Sequence, residues 1–472
     1  MSELDSGRRQ LLKAAVGGAC LAACTQRTSN AALVSDVTQL EAMPVARILR
    51  PQSSADVAAA LHEWRGPVSI GGGRFSMGGQ IAAADSLHLD MRGLNRLQWL
   101  DVSARTVRCE AGMTWRDLLD YIDPHDLSVA IMQSYSNFTI GGSVSVNCHG
   151  RYVGKGALVH AIRALRLATA DGHSRELSRT QEPELFAAVI GGYGGLGVIT
   201  EVELDLATNM PLERRMEQVE LHDYVAWFEQ EIAVNDDAVL HNADLVPPDF
   251  DAPLATTWLR SSKTPKPERL IPRGLDYDTE QNQIWLASEL PGGSWLRERA
   301  QLAEFAKDAL LVWRNHEASL DAASLEPRTR RMSSYLLQEY FVPARHFIEF
   351  ARGMAEILRG ARANVLNVSI RHAPADTLTM LSWSPEPVFC FVLYFKQRST
   401  QAASEHSDAW TRRLIDLALR LEGRYYLPYR LAASPEQFGR AYPQAQRITA
   451  IKRQVDPQRR LRNRLWDKYL RT

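Results

Sequence analysis

Two kinds of hydrophobic periodicity alternate along the first 210 residues of the chain. Helical spacing fills Ser54–Trp64 and Thr114–Ile122, and Ser53 or Ser54 and Thr114 are suited to cap these helices. In other segments apolar and polar residues alternate as in half-buried strands. Such strands are predicted at Ser86–Asp90, Thr106–Glu110, Ala161–Thr169 and Val198–Leu206. This mixture predicts an α+β fold for the N-terminal part of the chain.

A different pattern begins near Thr208. Helix-like runs occupy residues 211–320 and enclose a Pro-rich, charged stretch, Pro247–Arg273, which predicts a long loop. Further along, the alternation of apolar and polar residues returns. It predicts strands at Leu336–Pro343, Asn367–Asp376, Met380–Trp383 and Phe389–Lys396. Lys396 is expected to be exposed at the end of its strand, and the whole region is expected to form a second lobe.

The first of three glycine-rich stretches covers Ser69–Gln80, with three consecutive glycines and two more after a short insert. Glycine lacks a Cβ, so such a loop can adopt positive φ and bring main-chain N–H groups against a ligand. Successive inward N–H groups suit a phosphate or pyrophosphate. Taken alone, the stretch is equally compatible with a tight surface turn. It matches neither a P-loop nor a Rossmann fingerprint, because the required lysine and glycine spacing are absent.

Two further glycine-rich stretches favour the ligand-binding interpretation. Ser134–Gly156 contains the motifs Thr139-Ile-Gly-Gly and Asn147-Cys-His-Gly. Ala187–Glu201 ends with Gly197-Val-Ile-Thr-Glu. Three glycine clusters, separated by strand-like and helix-like segments, fit a set of loops wrapped round one large cofactor.

Length and charge narrow the range of functions. With 472 residues the chain exceeds one ordinary domain, so two lobes are expected. The 55 basic and 55 acidic residues balance, which gives no electrostatic argument for nucleic acid, and we expect no nucleic-acid partner. Five cysteines show no metal-ligand spacing, so no metal site is predicted.

The N-terminus has the composition of an export signal. Gly7-Arg-Arg-Gln-Leu-Leu-Lys is followed by the mostly apolar run Leu11–Ala23, and Leu21-Ala-Ala-Cys24 resembles a lipobox. The resemblance to a twin-arginine lipoprotein leader implies cleavage, lipidation of Cys24 and a membrane-anchored protein that faces the periplasm. Residues 1–24 are therefore assigned to the signal and residues 25–40 to a flexible tether. The alternative is the frayed N-terminus of a cytosolic enzyme.

The three glycine motifs, in this order over about residues 45–210, resemble the vanillyl-alcohol-oxidase superfamily with its PCMH-type FAD-binding domain. The resemblance implies two α+β subdomains within residues 41–210 with FAD held between them. It also implies a substrate or cap domain over residues 211–425, built on an antiparallel sheet with flanking helices, and a C-terminal segment, residues 426–472, that returns to the FAD domain.

The same resemblance implies a role for each glycine-rich stretch. The first holds the FAD pyrophosphate, the second passes beside the pyrophosphate and the isoalloxazine ring, and the third meets the adenine side through main-chain groups. His149 is expected to be mainly structural, with a hydrogen bond to flavin as the alternative. The residues so implied in cofactor binding are Gly71, Gly72, Gly73, Arg74, Phe75, Ser76, Gln80, Ser134, Thr139, Gly141, Gly142, Ser145, Asn147, Cys148, His149, Gly197, Val198 and Ile199.

Departures from the superfamily pattern predict non-covalent FAD. Many members bind FAD covalently through a histidine of the first loop, where this chain has Phe75. Others use a cysteine of the second motif, and the matching segment Ser134–Phe138 has none. In addition, a cysteine at position 148, near the expected isoalloxazine, can hinder oxygen and would favour a dehydrogenase. The alternative for Cys148 is a buried small apolar residue.

The C-terminal strands carry the candidate catalytic residues. Their motifs resemble the aldonolactone-oxidase branch, and Gly423–Arg430 is similar to the decaprenylphosphoryl-ribose-oxidase branch. Arg371 matches an arginine of the former branch, which implies that it stabilises reduced flavin or anchors substrate. In some polyol-oxidising relatives a carboxylate stands two residues earlier, where this chain has Ser369, a departure that argues against polyol or lactone specificity. Relatives also have a lysine near the end of the substrate sheet, which this chain lacks.

Other side chains are expected to take over the missing functions. Tyr429 or Arg430 is the candidate replacement for the lysine. Strand alternation lets only one of Gln338 and Glu339 face the site, and we select Glu339 as the only carboxylate of that segment. The predicted catalytic set is therefore Arg371, Glu339 and Tyr429.

The resemblance implies an FAD-dependent oxidoreductase that oxidises a CH–OH group of a sugar lactone, polyol or related alcohol and transfers hydride to flavin N5. Electrons would pass to O₂ or to another acceptor such as a quinone or a cytochrome. One alternative keeps the flavin and takes a lipid-linked sugar as substrate. Another, from a different class, is a non-catalytic flavin-binding lipoprotein.

Overall fold

The computed structural model describes residues 32–290 and 310–470. The predicted signal, with Cys24, lies outside the described residues, as does the first part of the predicted tether. The strands are β1 (Ala32–Ser35), β2 (Ala42–Val45), β3 (Arg47–Leu49), β4 (Val68–Gly71), β5 (Leu87–Asp90), β6 (Leu97–Asp101), β7 (Thr106–Glu110), β8 (Leu127–Val129), β9 (Ile162–Ala168), β10 (Ser174–Ser178), β11 (Val198–Thr208), β12 (Pro211–Gln218), β13 (Ala238–Leu245), β14 (Leu254–Arg260), β15 (Leu311–Trp313), β16 (Ser333–Pro343), β17 (Asn364–Ala373), β18 (Val388–Arg398) and β19 (Arg424–Tyr425).

Helices connect these strands. The α-helices of the described residues are α1 (Ser54–Glu63), α2 (Trp115–Ile122), α3 (Ile140–Ser145), α4 (Pro183–Val189), α5 (Tyr224–Trp227), α6 (Asp278–Glu289), α7 (Arg314–Ala318), α8 (Phe347–Gly360), α9 (Gln401–Arg420), α10 (Pro435–Ala441), α11 (Ala445–Val455) and α12 (Arg464–Tyr469). None of them is both long and apolar enough to cross a membrane.

Besides the two-stranded sheet β1-β2, the N-terminal part of the chain forms two separate sheets. The first is a parallel sheet of three strands in the order β3-β5-β4, and apolar residues of α1 pack against it, among them Val57 and Leu61. The second is antiparallel, with the strand order β10-β9-β11-β7-β6 and β8 paired to β11. Ser53 caps α1, and Thr114 and Asp117 form a capping box on α2, so both predicted helix starts are confirmed.

The C-terminal part is built on an eight-stranded antiparallel sheet in the order β15-β12-β14-β13-β17-β18-β16-β19. Helix α8 packs its apolar side, including Phe347 and Phe350, against Phe389 and Phe391 of β18. Aromatic packing therefore fills one face of this sheet and leaves the other face available for a site. The α+β fold class is confirmed, and the domain boundaries stay a prediction.

The last residues of the chain return to the N-terminal sheets. Nζ of the buried Lys452 donates to the main-chain oxygens of Gly195 at 2.6 Å and Leu461 at 2.8 Å, and it pairs with Asp456 at 2.5 Å. The indole N–H of Trp466 donates to the Gly192 oxygen at 2.9 Å. These hydrogen bonds attach the C-terminal segment to the third glycine-rich stretch.

The structure differs from the sequence predictions in four places. Residues 32–40, predicted as part of a tether, are folded, because β1 pairs with β2 and Val34 is buried. Residues 211–320 contain strands β12 to β15 where helix-like runs were expected, and β14 lies inside the predicted loop. Met380–Trp383 is not a strand. Lys396, expected at the surface, is buried against Tyr335 and pairs with Glu289.

Candidate active site

A cleft with about 1750 Å³ of empty space, part of it open to solvent, is lined by both halves of the molecule. All three glycine-rich stretches reach it from the N-terminal part. Strands β16, β17 and β18 and the segment after β19 reach it from the C-terminal part. The residues predicted from sequence that line it are Gly72, Gly73, Arg74, Phe75, Ser76, Gln80, Ser134, Thr139, Gly141, Gly142, Ser145, Cys148, His149, Gly197, Ile199, Glu339, Arg371 and Tyr429.

Three residues predicted to bind the cofactor do not line the cleft. Gly71 lies in β4 directly against the ring of His88, and Val198 is a core residue of β11. The side chain of Asn147 donates to Asp376 at 2.9 Å and accepts from the main-chain N–H of Val159 at 3.0 Å. Asn147 therefore fixes the second glycine-rich stretch against its surroundings, and its amide is not available to a ligand.

The first glycine-rich loop is packed tightly against the second. A Cβ on Gly72 would lie 2.2 Å from Oγ1 of Thr139, and the same oxygen accepts from the main-chain N–H of Gly73 at 3.3 Å. Arg74 follows in the left-handed region with a φ of 63°. Only a residue without a side chain fits at position 72 while the two loops stay this close. The close contact between the two loops therefore depends on glycine at position 72.

The buried side chain of His88 contacts Arg74 of the first glycine-rich loop. His88 is fully buried; its Nδ1 lies 3.1 Å from the Ser69 hydroxyl, and its Nε2 lies 3.4 Å from a guanidinium nitrogen of Arg74. Arg74 also pairs with Asp90 at 3.4 Å. Because a guanidinium can only donate, Nε2 accepts, and Nδ1 carries the proton. Burial, together with the charge of Arg74, lowers the pKa of His88 to about 4.

Acid is therefore expected to destabilise the protein through His88. An unfolded histidine titrates near pH 6.5, so the neutral buried ring stabilises the fold above that pH, and this contribution is lost as the pH falls from 6.5 towards 4. Between pH 6.5 and 5 the loss from His88 is about 2 kcal/mol. The free energy of unfolding, measured by urea titration across this range, checks it.

The control variants for this prediction are His88→Asn and His173→Asn. The first keeps a donor for Ser69 and should flatten the pH dependence by about one proton. The second replaces an exposed ring and should leave the pH dependence unchanged. His241 and His372, whose pKa values burial lowers to about 3 and about 4, account for a remaining slope. An unchanged slope in His88→Asn would show that this histidine does not control acid stability.

The predicted catalytic carboxylate lies at the back of the cleft and is almost completely buried. Oε1 of Glu339 lies 2.6 Å from Nε2 of His149, and Oε2 accepts from the hydroxyl of Tyr429 at 3.3 Å. Burial and the nearby carboxylate raise the pKa of Tyr429 well above its usual value, so the phenol stays protonated and donates. Of the two candidates to replace the lysine, Tyr429 reaches the site. Arg430 points away and pairs with Asp408.

The strand register explains why Glu339 and Arg371 meet in one cleft. Glu339 of β16 is opposite Val392 of β18, and Arg371 of β17 is opposite Cys390 of β18. Val392 and Cys390 are two residues apart, so all four side chains project from the same face. Nη2 of Arg371 donates to the Ser134 hydroxyl at 3.1 Å. Its Nε is buried without a partner among the described residues.

Cys148 is buried at the cleft wall, which agrees with the alternative that it is a small apolar core residue. Burial raises the pKa of its thiol to about 12, so the thiol is uncharged at neutral pH. Phe75, which replaces the histidine of covalent relatives, lines the cleft and stacks on Phe138 with ring centroids 4.2 Å apart. Neither side chain offers a nucleophile to a flavin.

Several cleft residues were missed by sequence reasoning. Met77 and Leu337 contribute apolar surface to the cleft. Strand alternation with Glu339 could have predicted Leu337. Nothing in the local sequence indicates Arg330, Tyr394 or Tyr426, which also line the cleft.

His149, Glu339 and Cys390 form a buried cluster in which one ligand atom of each lies within 4.8 Å of the others. A hydrogen bond already joins the imidazole and the carboxylate. Burial raises the pKa of Cys390 well above its usual value, which opposes the thiolate that a metal ion requires. The expectation that the site holds no metal stays a prediction.

Comparison with known proteins agrees with this architecture. A family model described as an FAD binding domain matches residues 45–178. The chain is 24% identical over 422 residues to decaprenylphosphoryl-beta-D-ribose oxidase of Mycolicibacterium smegmatis, which covers 84% of this chain and 88% of the relative. It is 23% identical over 418 residues to L-gulono-1,4-lactone dehydrogenase of Mycobacterium tuberculosis, which covers 87% of this chain and 93% of the relative.

A third similarity is more local. The chain is 30% identical to L-gulonolactone oxidase of Bos taurus over 158 residues, which cover 34% of this chain and 36% of the relative. The FAD binding domain and these relatives together support a flavin-dependent oxidoreductase. These findings support the resemblance to the vanillyl-alcohol-oxidase superfamily with its PCMH-type FAD-binding domain, and to its aldonolactone-oxidase-like branch.

Proposed function

We propose that the protein uses non-covalent FAD to oxidise a CH–OH group of a sugar lactone, polyol or related alcohol. The observation that carries this proposal is the single cleft in which Arg371, Glu339 and Tyr429 face three glycine-rich loops. The relatives that match most of the chain are named for the oxidation of a sugar derivative and of a lactone. For this chain we propose only the chemistry that the two relatives share, and neither of their individual substrates.

The residues of the cleft fit FAD. Gly72, Gly73, Gly141 and Gly142 line the cleft without side chains, which leaves room for a pyrophosphate to approach the main chain. Buried nitrogen atoms of Arg74 and Arg371 lack partners among the described residues. We propose that the parallel and antiparallel N-terminal sheets are the two FAD-binding subdomains and that the cofactor lies between them. When bound, FAD supplies hydride acceptance.

The chain's own groups bind and orient the alcohol. Arg371 offers a fixed positive charge where negative charge develops during the reaction. Glu339, which is 2% exposed, and Tyr429 offer polar groups to the substrate hydroxyl. Ser369, in place of the carboxylate of related enzymes, does not line the cleft, so a hydroxyl-rich substrate finds fewer polar partners here.

Non-covalent attachment gives a direct prediction. Acid or heat precipitation of the purified protein is expected to release all flavin into the supernatant, because Phe75 has no nucleophilic atom. Absorbance of the supernatant and of the redissolved pellet checks this. Yellow colour retained by the denatured chain would show a covalent bond and contradict the prediction.

A second candidate substrate is a lipid-linked sugar. It is favoured by the apolar residues Leu325, Leu337 and Val392, which line the same cleft as Glu339. The relative with the corresponding name matches 84% of the chain. A membrane anchor at Cys24 would place the enzyme next to such a substrate. The non-catalytic flavin-binding lipoprotein remains the alternative from another class.

Cell location and electron acceptor are also part of the proposal. We propose export by the twin-arginine route and anchoring through Cys24, on the basis of the leader sequence alone. A quinone or a cytochrome is the proposed acceptor, because Cys148 occupies the cleft wall and can hinder oxygen. Reoxidation of the photoreduced protein by O₂, a quinone or a cytochrome compares these acceptors.

Anaerobic bleaching of the flavin by a panel of alcohols tests the function. The panel contains an alditol, an aldonolactone and a prenyl-phosphate sugar, and photoreduction is the positive control for the flavin itself. Bleaching by at least one alcohol is expected. If photoreduction works and every alcohol leaves the flavin oxidised, the catalytic proposal is wrong and the non-catalytic alternative is favoured.

A further inference from the structure

A second cavity lies beside the cofactor cleft. It has about 1040 Å³ of empty space, part of it open to solvent, and residues of the connection between β1 and β2 line one side of it. Among the described residues, Met77 alone lines both the cleft and this second cavity. Its neighbour Ser76 lines only the cleft, and its neighbour Gly78 lines only the second cavity. The first glycine-rich stretch therefore separates the two spaces.

At Met77 a single residue separates the two spaces, and neighbouring main chain holds it there. The main-chain N–H of Met77 donates to the Pro428 oxygen at 2.7 Å. The main-chain N–H of Leu337 donates to the Met77 sulfur at 3.2 Å. A Cβ on Gly78 would lie 2.4 Å from the main-chain oxygen of Tyr429, so a side chain does not fit at that position. A polarisable thioether thus lies between the cleft and the second cavity.

The resemblance to covalent flavoproteins relates Met77 to the flavin end of the cofactor. Those relatives attach FAD through a histidine at the position of Phe75, which implies that the flavin lies within reach of that position. Phe75 lines the cleft, and Met77 follows it by two residues. An electron acceptor in the second cavity is therefore expected near the flavin, on the other side of Met77.

The second cavity also lies near the proposed membrane anchor. Seven residues separate Cys24 from Ala32, and an extended chain of this length reaches at most about 29 Å. A compact chain of this size is about 60 Å across. Strand β1 lies at the surface, because Leu33 is 64% exposed, so a lipid on Cys24 turns this side of the molecule towards the membrane. Leu40 follows β1 by five residues and lines the second cavity.

The lining of the second cavity suits an uncharged acceptor with carbonyl groups. Four acidic and three basic side chains line it, so the charges nearly balance. Arg464 and Lys468 each have more N–H groups than their bonds to Glu41 and to the Leu431 oxygen use. Leu40 and Leu431 add apolar surface. A quinone head group is uncharged and small enough for a cavity, whereas a cytochrome needs a broad protein surface.

We propose that the second cavity binds the head group of a membrane quinone, which takes electrons from reduced FAD across Met77. The inference deepens the proposed function and rests on it, because it selects one acceptor and gives it a site. Two electrons and two protons leave reduced FAD, which becomes oxidised FAD. The quinone gains the same two electrons and two protons, so both of its carbonyl groups become hydroxyl groups. The alcohol is oxidised in the cleft, and the quinone is reduced in the second cavity.

Filling the second cavity tests the inference without any alcohol substrate. The flavin of the FAD-loaded protein is reduced by light under anaerobic conditions and then mixed with a soluble naphthoquinone, and stopped-flow absorbance records reoxidation. Leu40→Trp adds a large ring to the lining of the second cavity, so reoxidation should slow at least about tenfold. Leu33→Trp is the matched control, because the same ring then lies on exposed β1 outside both spaces, and its rate should equal that of wild type.

Equilibrium dialysis measures quinone binding without turnover. The oxidised naphthoquinone should bind the FAD-loaded and the flavin-free protein at one site per chain, and Leu40→Trp should weaken this binding at least about tenfold. Lys468→Met is a second variant, which should fold normally because Lys468 is exposed. It removes a charged donor from the cavity and should weaken binding about tenfold. Leu33→Trp should bind the naphthoquinone as wild type does.

The outcomes distinguish this inference from the proposed function. If the protein binds no naphthoquinone, or if Leu40→Trp and Lys468→Met both bind it as tightly as wild type, the inference is wrong. If a cytochrome reoxidises the photoreduced flavin and the naphthoquinone does not, a protein is the acceptor, and the inference is also wrong. If no alcohol bleaches the flavin but the quinone results are as expected, the proposed alcohol oxidation fails and the acceptor site is supported.

Discussion

Replacing Arg371 by methionine is expected to slow flavin reduction by the substrate about 10²–10³-fold without loss of FAD. Methionine keeps much of the length of the side chain and removes the only arginine that β17 presents to the cleft from the face shared with Glu339. Donors aimed at developing charge in a dry site contribute about this much to a rate. Stopped-flow absorbance under anaerobic conditions measures the effect.

Two further variants make the Arg371 result specific. Arg430→Met removes an arginine that pairs with Asp408 outside the cleft and should leave the reduction rate within about twofold of wild type. Arg371→Lys keeps the charge and loses the fork of donors, so an intermediate rate is expected. Equal rates for Arg371→Met and wild type would remove Arg371 from the catalytic set.

Gly72→Ala is expected to weaken FAD binding about 100-fold, which corresponds to about 2.7 kcal/mol. The new methyl carbon would lie 2.2 Å from Oγ1 of Thr139, so the first and second glycine-rich loops must separate. Both loops line the cleft, and the cofactor can no longer contact both at their original spacing. Quenching of flavin fluorescence during titration of the flavin-free protein measures the dissociation constant.

Gly439→Ala is the matched control for the Gly72 variant. A Cβ at Gly439 meets nothing within 4 Å, and the residue lies inside helix α10 and does not line the cleft. Alanine favours a helix over glycine by about 1 kcal/mol, so this variant should bind FAD normally and be at least as stable as wild type. An unchanged dissociation constant in Gly72→Ala would mean that the tight contact between the loops does not control cofactor binding.

Local sequence patterns predicted the N-terminal part well. The capped starts of α1 and α2 depend on residues a few positions apart, and the structure contains them. The strands between residues 211 and 320 were missed. Strand β12, Pro-Leu-Glu-Arg-Arg-Met-Glu-Gln, shows little apolar–polar alternation, and these strands gain stability from pairing within the eight-stranded sheet.

The sequence predicted residues of the candidate site but not the contacts between them. Arg371 and Glu339 were selected from motifs, and the structure places both in the cleft. The hydrogen bond between His149 and Glu339 joins residues 190 positions apart, and no local pattern reveals it. Lys396 was expected outside because lysine is rarely buried, but Glu289 of a distant helix supplies its counter-charge. Asn147 was assigned to the cofactor, and only the fold shows its bond to Asp376.

The most direct test of the whole account is an FAD titration of the purified, flavin-free protein, followed by absorbance and fluorescence. The account predicts saturable uptake of one FAD per chain, a bound-flavin visible spectrum, and full release of that flavin on denaturation. A protein that folds, as judged by circular dichroism, but takes up no FAD at saturating concentration would contradict it.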